Sequence, residues 1–200
     1  MREMALICWS ANYVVISGGE ILPRITISGH PGSGTSTLVS GVCAAMGWNS
    51  VNGGQIFRDE AENRNMTLSE FGELCAKDFT VDKSLDEILK QKMLDPNGPE
   101  VMESRLSGWW AYKLNLNCIR IWLNVNENVR ATRVVNREGI SLELAISANK
   151  KRSEVDLLRY QEMYGLDPED VTPYTHVIEA SEKSADEVLD YTLKLLREFE

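Results

Sequence analysis

A glycine-rich turn at residues 29–36 has residue types that could bind phosphate. It reads Gly-His-Pro-Gly-Ser-Gly-Thr-Ser, the spacing of the G-x-x-x-x-G-K-[ST] phosphate loop with Thr35 in place of the lysine. Glycines let several backbone N–H groups converge on one phosphate, and the following helix adds its positive N-terminus. Ser36 occupies the position whose hydroxyl binds Mg²⁺. The alternative is a glycine-rich turn that binds nothing.

Two arginines and a glutamate follow predicted strands. Arg58 lies at the start of a helix after the second strand, while Glu103 and Arg105 lie at the end of the third strand and just past it. A planar guanidinium can hold two oxygens of a phosphate dianion. We therefore predict that Arg58 and Arg105 bind a second phosphate and that Glu103 orders Mg²⁺ through water. The alternative for each residue alone is a surface ion pair.

Further cations fall on two successive helical segments. The first segment carries Arg130, Arg133 and Arg137 at helical spacing, and the second carries Lys150, Lys151, Arg152 and Arg159. Glu138–Gly139–Ile140 lies between them as a hinge. This arrangement predicts a cationic lid that closes over a triphosphate and excludes water from a transfer reaction. The alternative is a charged helical hairpin exposed to solvent.

Short apolar runs alternate with longer helical patterns along the 200 residues. We predict strands at 24–28, 48–52, 101–103, 119–125 and 175–179, with helices at 35–46, 55–65, 81–94, 127–137 and 141–164, the last in one or two pieces. Two more helices begin at the capping-box sequences Thr67–Glu70 and Ser184–Glu187. Such alternation predicts a parallel sheet covered on both faces, with ligands bound outside the carboxyl ends of its strands.

The distribution of charge favours a small anionic ligand. The net charge is −9, which makes nucleic-acid polymers and anionic membranes poor partners because they repel an acidic protein. Residues 105–160 nevertheless contain ten Lys and Arg against five Asp and Glu, a local net charge of +5. We expect this basic region to meet a small anion.

The remaining composition excludes several other classes of site and location. Four widely spaced cysteines and two histidines predict neither a zinc site nor a redox dithiol, and they favour reduced thiols in a cytoplasm. The apolar run near the N-terminus is too short to span a bilayer and lacks the flanks of a signal peptide. We assign residues 1–23 to an N-terminal extension of unknown role.

Five ordered segments resemble one protein family. They are Ile25–Thr35, Gly54–Arg58, Glu103–Trp109, the strand Ile121–Leu123 with the arginines up to Gly139, and Arg152–Asp167. Together they resemble the archaeal-type cytidylate kinases, a branch of the P-loop nucleoside monophosphate kinases that also carries threonine in place of the loop lysine. The resemblance runs from about Ile25 to Ile178.

The resemblance implies a fold and an activity. The fold is α/β: a three-layer P-loop NTPase with a central five-stranded parallel sheet, as a single kinase domain over residues 24–200. A helical insert at about 55–94 would bind the acceptor monophosphate, and a lid would lie at about 138–165. The implied activity moves the γ-phosphate of ATP to CMP, with dCMP and UMP as alternative acceptors and Mg²⁺ as cofactor.

The resemblance also assigns roles to residues. ATP would be bound by Gly29, His30, Pro31, Gly32, Ser33, Gly34, Thr35, Ser36 and Thr37, and Mg²⁺ by Ser36 and Glu103. The acceptor would be bound by Gly54, Phe57, Arg58, Asp82, Asp86 and Arg105. The charge on the moving group would be stabilised by Arg130, Arg133, Arg152 and Arg159.

Two other functions stay open at this point. One is a kinase for a different small acceptor, such as AMP. The other is a nucleotide-binding assembly factor with weak or no transferase activity. In each case the expected partners are small nucleotides, rather than nucleic-acid polymers or membranes.

Overall fold

Five parallel strands form one sheet in the order β2-β3-β1-β4-β5. The computed structural model describes residues 23–199, so the predicted extension lies outside the described residues except for Pro23. The strands are β1 Ile25–Gly29, β2 Ser50–Asn52, β3 Val101–Glu103, β4 Ile119–Asn124 and β5 His176–Glu179. The predicted five-stranded parallel sheet is confirmed.

Eight helices are found among the described residues. They are α1 Thr35–Met46, α2 Gly53–Asn63, α3 Leu68–Lys77, α4 Phe79–Leu94, α5 Ser107–Lys113, α6 Glu127–Glu138, α7 Leu142–Tyr164 and α8 Ala185–Phe199. The capping box predicted at Thr67 and Glu70 is present, and Ser184 and Glu187 exchange the corresponding hydrogen bonds before α8. No helix among residues 23–199 is long and apolar enough to cross a membrane.

The sheet separates two apolar cores. One core packs β1 and β4 against α1 and α8, with Ile27, Val42 and Leu196 at its centre. The other core packs Met102 of β3 against α2 to α5 and α7, around the fully buried Phe71. Strands β1 and β3 are buried over their whole length. This agrees with the near-continuous apolar character expected of parallel strands that are covered on both faces.

The structure adds one helix to the sequence prediction and decides an alternative that it left open for another. Helix α5, with seven residues, was not predicted, and no side-chain hydrogen bond caps its N-terminus. It is held by packing, since a Cβ added at Gly108 would lie 2.2 Å from Tyr174 Cε1. Helix α7 is one continuous helix, which is one of the two predicted alternatives. Its polar middle contains two buried polar residues, Asn149 and Asp156.

The strand register brings the predicted functional segments to one edge of the sheet. Glu103, at the end of β3, pairs with Ile27 of β1 and with Asn52 of β2. Gly29, at the end of β1, pairs with Leu123 of β4. The turn after β1, the start of α2 and the segment after β3 therefore meet at the carboxyl edge, where parallel sheets bind ligands.

Candidate active site

The turn between β1 and α1 forms a backbone cradle. Gly32 and Gly34 have φ values of +80° and +97°, which a side chain would strain. A Cβ on Gly29 would lie 2.6 Å from Ser33 Oγ and 2.9 Å from the Leu123 carbonyl. No side-chain hydrogen bond caps the first N–H groups of α1. A turn of this shape at an uncapped helix N-terminus fits a phosphate group.

His30 lies beside this turn as a neutral ring. Burial, together with the nearby Arg130 and Arg105 charges, lowers its pKa to about 4. Its ring meets Trp122 edge-on at 5.2 Å between centroids, and Nε2 is 3.7 Å from Glu169 Oε1. His30 therefore offers the site a neutral imidazole near pH 7, rather than a charge that replaces the missing loop lysine.

Ser36 and Glu103 form an oxygen-rich site beside the cradle. Ser36 Oγ donates to Glu103 Oε1 at 3.0 Å, and Asn52 Nδ2 donates to the other carboxylate oxygen. Glu103 is buried. Mg²⁺ prefers hydroxyl and carboxylate oxygens and keeps several waters. This donor set therefore fits one Mg²⁺ next to a bound phosphate.

Two of the three arginines on α6 contact the cradle. Arg133 donates from Nη1 to the Ser33 carbonyl at 2.7 Å and from Nη2 to the Ala180 carbonyl at 3.0 Å. Arg130 is buried and donates to the carbonyls of Val125 and Pro31. Burial lowers the pKa of Arg130, against the attraction of Glu127. Arg137 instead faces solvent and pairs with Glu138.

Arg105 connects the cradle to α7. Its Nη1 donates to the Gly29 carbonyl, and its Nε donates to Asp156 Oδ2 at 2.8 Å. The other oxygen of Asp156 accepts from Arg159 Nη2 at 3.2 Å. Arg159 Nε also lies 3.3 Å from Asp82 Oδ2 on α4. The structure thus brings Arg105, predicted to bind the acceptor phosphate, and Arg159, predicted to stabilise the moving group, into one chain of alternating charges.

Burial and neighbouring charges act in opposite directions on this chain. Burial opposes the charge of Arg159, but Tyr160, Asp82 and Asp156 raise its pKa above the ordinary value. Burial raises the pKa of Asp82, and Arg159 offsets part of that shift. Loss of water and then the Arg105 charge lower the pKa of Arg152. The site therefore holds charged groups close together on α4, α7 and the segment after β3.

The predicted acceptor residues on α2 lie apart from this chain of charges. Arg58 donates from Nε and Nη2 to Gln55 Oε1 at 3.1 and 2.8 Å on the exposed side of α2. The Phe57 ring packs on Phe71, with 4.8 Å between centroids. A Cβ on Gly54 would lie 3.0 Å from Asn52 Oδ1, which caps the same helix.

Asp86 is already engaged within the protein. Its Oδ1 accepts from Trp110 Nε1 at 3.2 Å, and its Oδ2 accepts from the Tyr164 hydroxyl at 2.9 Å. Burial raises its pKa to about 6, and these two hydrogen bonds act in the opposite direction. Asp82 and Asp86 were assigned the same role from sequence, but they have different surroundings.

The sequence analysis missed a cavity beside the phosphate cradle. It has a volume of about 140 Å³ and lies between Gly34 and Thr37 on one side and Ala180, Lys183 and Ser184 on the other. Arg133 and Leu123 also line it. The available signal was that residues 180–184 follow the last strand at the same carboxyl edge. An apolar-walled cavity adjoining a phosphate cradle suits the base of a nucleotide.

Known proteins resemble this chain in sequence. The profile of a family described as "AAA domain" matches residues 25–154. The cytidylate kinase of Halobacterium salinarum is 38% identical over 169 residues, which cover 84% of this chain and 86% of that protein. The cytidylate kinase of Archaeoglobus fulgidus is 32% identical over 171 residues, which cover 86% and 93%.

Solved structures share the fold at much lower identity. A gluconokinase from Sinorhizobium meliloti has a TM-score of 0.56 at 15% identity, and covers 89% of this chain and 93% of that chain. A shikimate kinase from Bacteroides thetaiotaomicron has a TM-score of 0.55 at 13% identity, with coverages of 87% and 98%. These structures support the P-loop kinase fold, and the sequence relatives define the family. The chain belongs to the cytidylate kinase family.

Proposed function

We propose that this protein transfers the γ-phosphate of ATP to CMP, giving ADP and CDP, with Mg²⁺ as cofactor. The observation that carries the proposal is the position of Arg105. Its guanidinium donates to the Gly29 carbonyl in the phosphate cradle and to Asp156 on α7, so it lies between the cradle and the lid helix. A phosphoryl transfer needs positive charge between donor and acceptor phosphates. Arg105 supplies such a charge in a chain that belongs to this family.

The donor nucleotide would lie over the cradle. Its phosphates would meet the backbone of residues 29–34 and the hydroxyls of Thr35, Ser36 and Thr37, while its base would enter the adjoining cavity. Ser36 and Glu103 would hold Mg²⁺. Bound Mg²⁺ neutralises charge on the β- and γ-phosphate oxygens.

The acceptor would lie between the insert and the lid. We assign the insert to about 55–94 and the lid to about 138–165. Arg58 and Arg105 would bind the acceptor phosphate, with Gly54, Phe57 and Asp82 forming the insert side of the pocket. Asp82 supports this role because its Oδ2 is buried and makes no hydrogen bond among the described residues, although it faces Arg159.

Catalysis of this reaction requires positive charge and correct orientation of the substrates rather than proton transfer. The acceptor phosphate is already an anion, so it needs no general base to become a nucleophile. Arg130, Arg133, Arg152 and Arg159 would stabilise the charge spread over the moving group. Lid closure would exclude the water that otherwise competes as acceptor. We place this reaction in the cytoplasm, in line with the free thiols of Cys43, Cys75 and Cys118.

An acceptor panel tests the proposed function. The pure protein is incubated with Mg-ATP and CMP, dCMP, UMP, AMP or GMP, and ADP release is followed with a no-acceptor control. The proposal expects CMP-dependent turnover of at least ~1 per second, the low end of typical enzymes. Faster turnover with AMP would identify another acceptor. Slow ADP release indifferent to acceptor would favour an assembly factor and overturn the kinase proposal.

A further inference from the structure

Three side chains from three helices meet at Asp86, away from the phosphate cradle. Asp86 lies on α4, Trp110 on α5 and Tyr164 at the last position of α7. The indole N–H and the phenol each donate to one oxygen of the carboxylate. The two rings also touch edge to face, with 4.9 Å between centroids and 83° between planes. A single carboxylate thus links the predicted insert, the sheet's covering helix and the end of the lid helix.

Two lysines surround this cluster without pairing with its carboxylate among the described residues. Lys90 Nζ lies 4.7 Å from the centroid of the Trp110 ring, and Lys83 Nζ lies 5.8 Å from that of Tyr164. Both distances fit cation–π contacts. Each ring therefore contacts one lysine and the other ring, which restricts the directions from which the N–H and O–H groups can donate. Such fixed donors favour one orientation of the carboxylate.

Helices α4 and α7 are also connected at a second point, one helical turn away. Asp82 is four residues before Asp86 on α4, and Arg159 is five residues before Tyr164 on α7. Arg159 Nε lies 3.3 Å from Asp82 Oδ2. Residues four apart on a helix share a face. Asp82–Arg159 and Asp86–Tyr164 are therefore two successive cross-links between α4 and α7, and only the first involves an arginine of the proposed site.

We propose that Asp86 is a positioning residue, which fixes α4 against α5 and the end of α7 so that Asp82 faces Arg159 in the acceptor pocket. This inference rests on the proposed function, because it gives α4 its role in acceptor binding. Burial of a carboxylate is unfavourable unless its oxygens are satisfied. Here both oxygens accept hydrogen bonds from the Trp110 and Tyr164 rings. These two bonds fix the position of α4 relative to α5 and α7. Asp86 thus acts on the acceptor through Asp82 rather than by touching it.

The test compares variants on both sides of the same hydrogen bond. Asp86→Asn keeps the size of the side chain but replaces one acceptor oxygen, and Tyr164→Phe removes only the partner hydroxyl. Each is expected to raise the KM for CMP by several-fold to about tenfold, the value of one hydrogen bond, with the KM for ATP unchanged. The effect of the double variant should be smaller than the sum of the two single effects, because both changes affect the hydrogen bonds of one carboxylate.

Matched controls lie on the same helices. Gln91→Glu changes an exposed amide on α4, and Tyr112→Phe removes an exposed hydroxyl from α5. Both should leave the KM for CMP at the wild-type value. Urea unfolding of every variant separates folding from positioning. If Asp86→Asn does not fold, Tyr164→Phe and Trp110→Phe carry the same comparison.

Three results would overturn the proposal. If Asp86→Asn raises the KM for CMP while Tyr164→Phe behaves as wild type, Asp86 contacts the acceptor directly. If both variants lower stability without changing the KM for CMP, the cluster is structural only. If the wild-type protein shows no acceptor-dependent turnover, the proposed function fails and the positioning role fails with it, a result seen before any variant is made.

Discussion

Replacing Arg105 by alanine should separate acceptor binding from donor binding. The guanidinium donates to Gly29 and to Asp156, and its side chain is 17% exposed. A hydrogen bond to a charged group contributes about 1.5–3 kcal/mol, or roughly a tenfold to 150-fold effect. We expect kcat/KM for CMP to fall by that factor, with a smaller change in the KM for ATP. Stability should fall by about 1–3 kcal/mol, because Asp156 keeps Arg159 as a partner.

The assay for this prediction is steady-state ADP release with CMP and ATP varied in turn, beside urea unfolding of the same preparations. Arg105→Lys keeps a charge without the planar fork and should recover only part of the loss. Arg137→Ala, on the exposed face of α6, serves as the control and should match wild type. A folded Arg105→Ala protein with unchanged kcat/KM for CMP would refute the assignment of Arg105 to the acceptor phosphate.

Two further perturbations test the electrostatics and the loop geometry. Burial raises the pKa of Asp86 from 3.8 to about 6, so the unfolded chain releases this proton at lower pH than the folded protein. As the pH rises from 4 to 6, the folded protein must give up a proton that it binds more tightly than the unfolded chain does. The unfolding free energy of wild type should therefore fall by up to about 3 kcal/mol relative to that of Asp86→Asn. Parallel urea titrations measure this difference, and a pH-independent gap between the two proteins would contradict the burial argument. Gly32→Ala places a Cβ 2.8 Å from the Arg130 carbonyl at a φ of +80°. It should lower the thermal midpoint and weaken ATP binding by calorimetry, and a wild-type affinity would show that the cradle tolerates a side chain.

Local sequence signals were sufficient for most of the fold. Glycine spacing after an apolar strand identified the turn at Gly29–Ser36, and a capping box marked the start of α3 at Thr67. Both features depend only on residues a few positions apart, so they can be recognised from one sequence. Helix α5 has no such signal: it is a helix of about two turns that packs on Tyr174, 66 residues after Gly108.

The side-chain pairings of the site required the structure. Arg105 and Asp156 are 51 residues apart, and no periodic pattern indicates which acid a given arginine meets. The sequence grouped Arg130, Arg133 and Arg137 by spacing, but only the first two contact the phosphate cradle. The direction in which α6 faces the cradle depends on how it packs against α7. That packing is a tertiary property that helical spacing alone does not contain.

The paired arginines of the site have an entropic consequence. Arg105 and Arg159 share the two oxygens of Asp156, so their rotamers are already restricted before a nucleotide arrives. Ordering a long side chain on binding costs about 0.5–1.5 kcal/mol. For both arginines, this loss of side-chain freedom has already occurred on folding, when α7 brought Asp156 to them. An incoming phosphate must instead exchange places with a carboxylate, so affinity depends on the difference between two anions rather than on the total attraction of two cations.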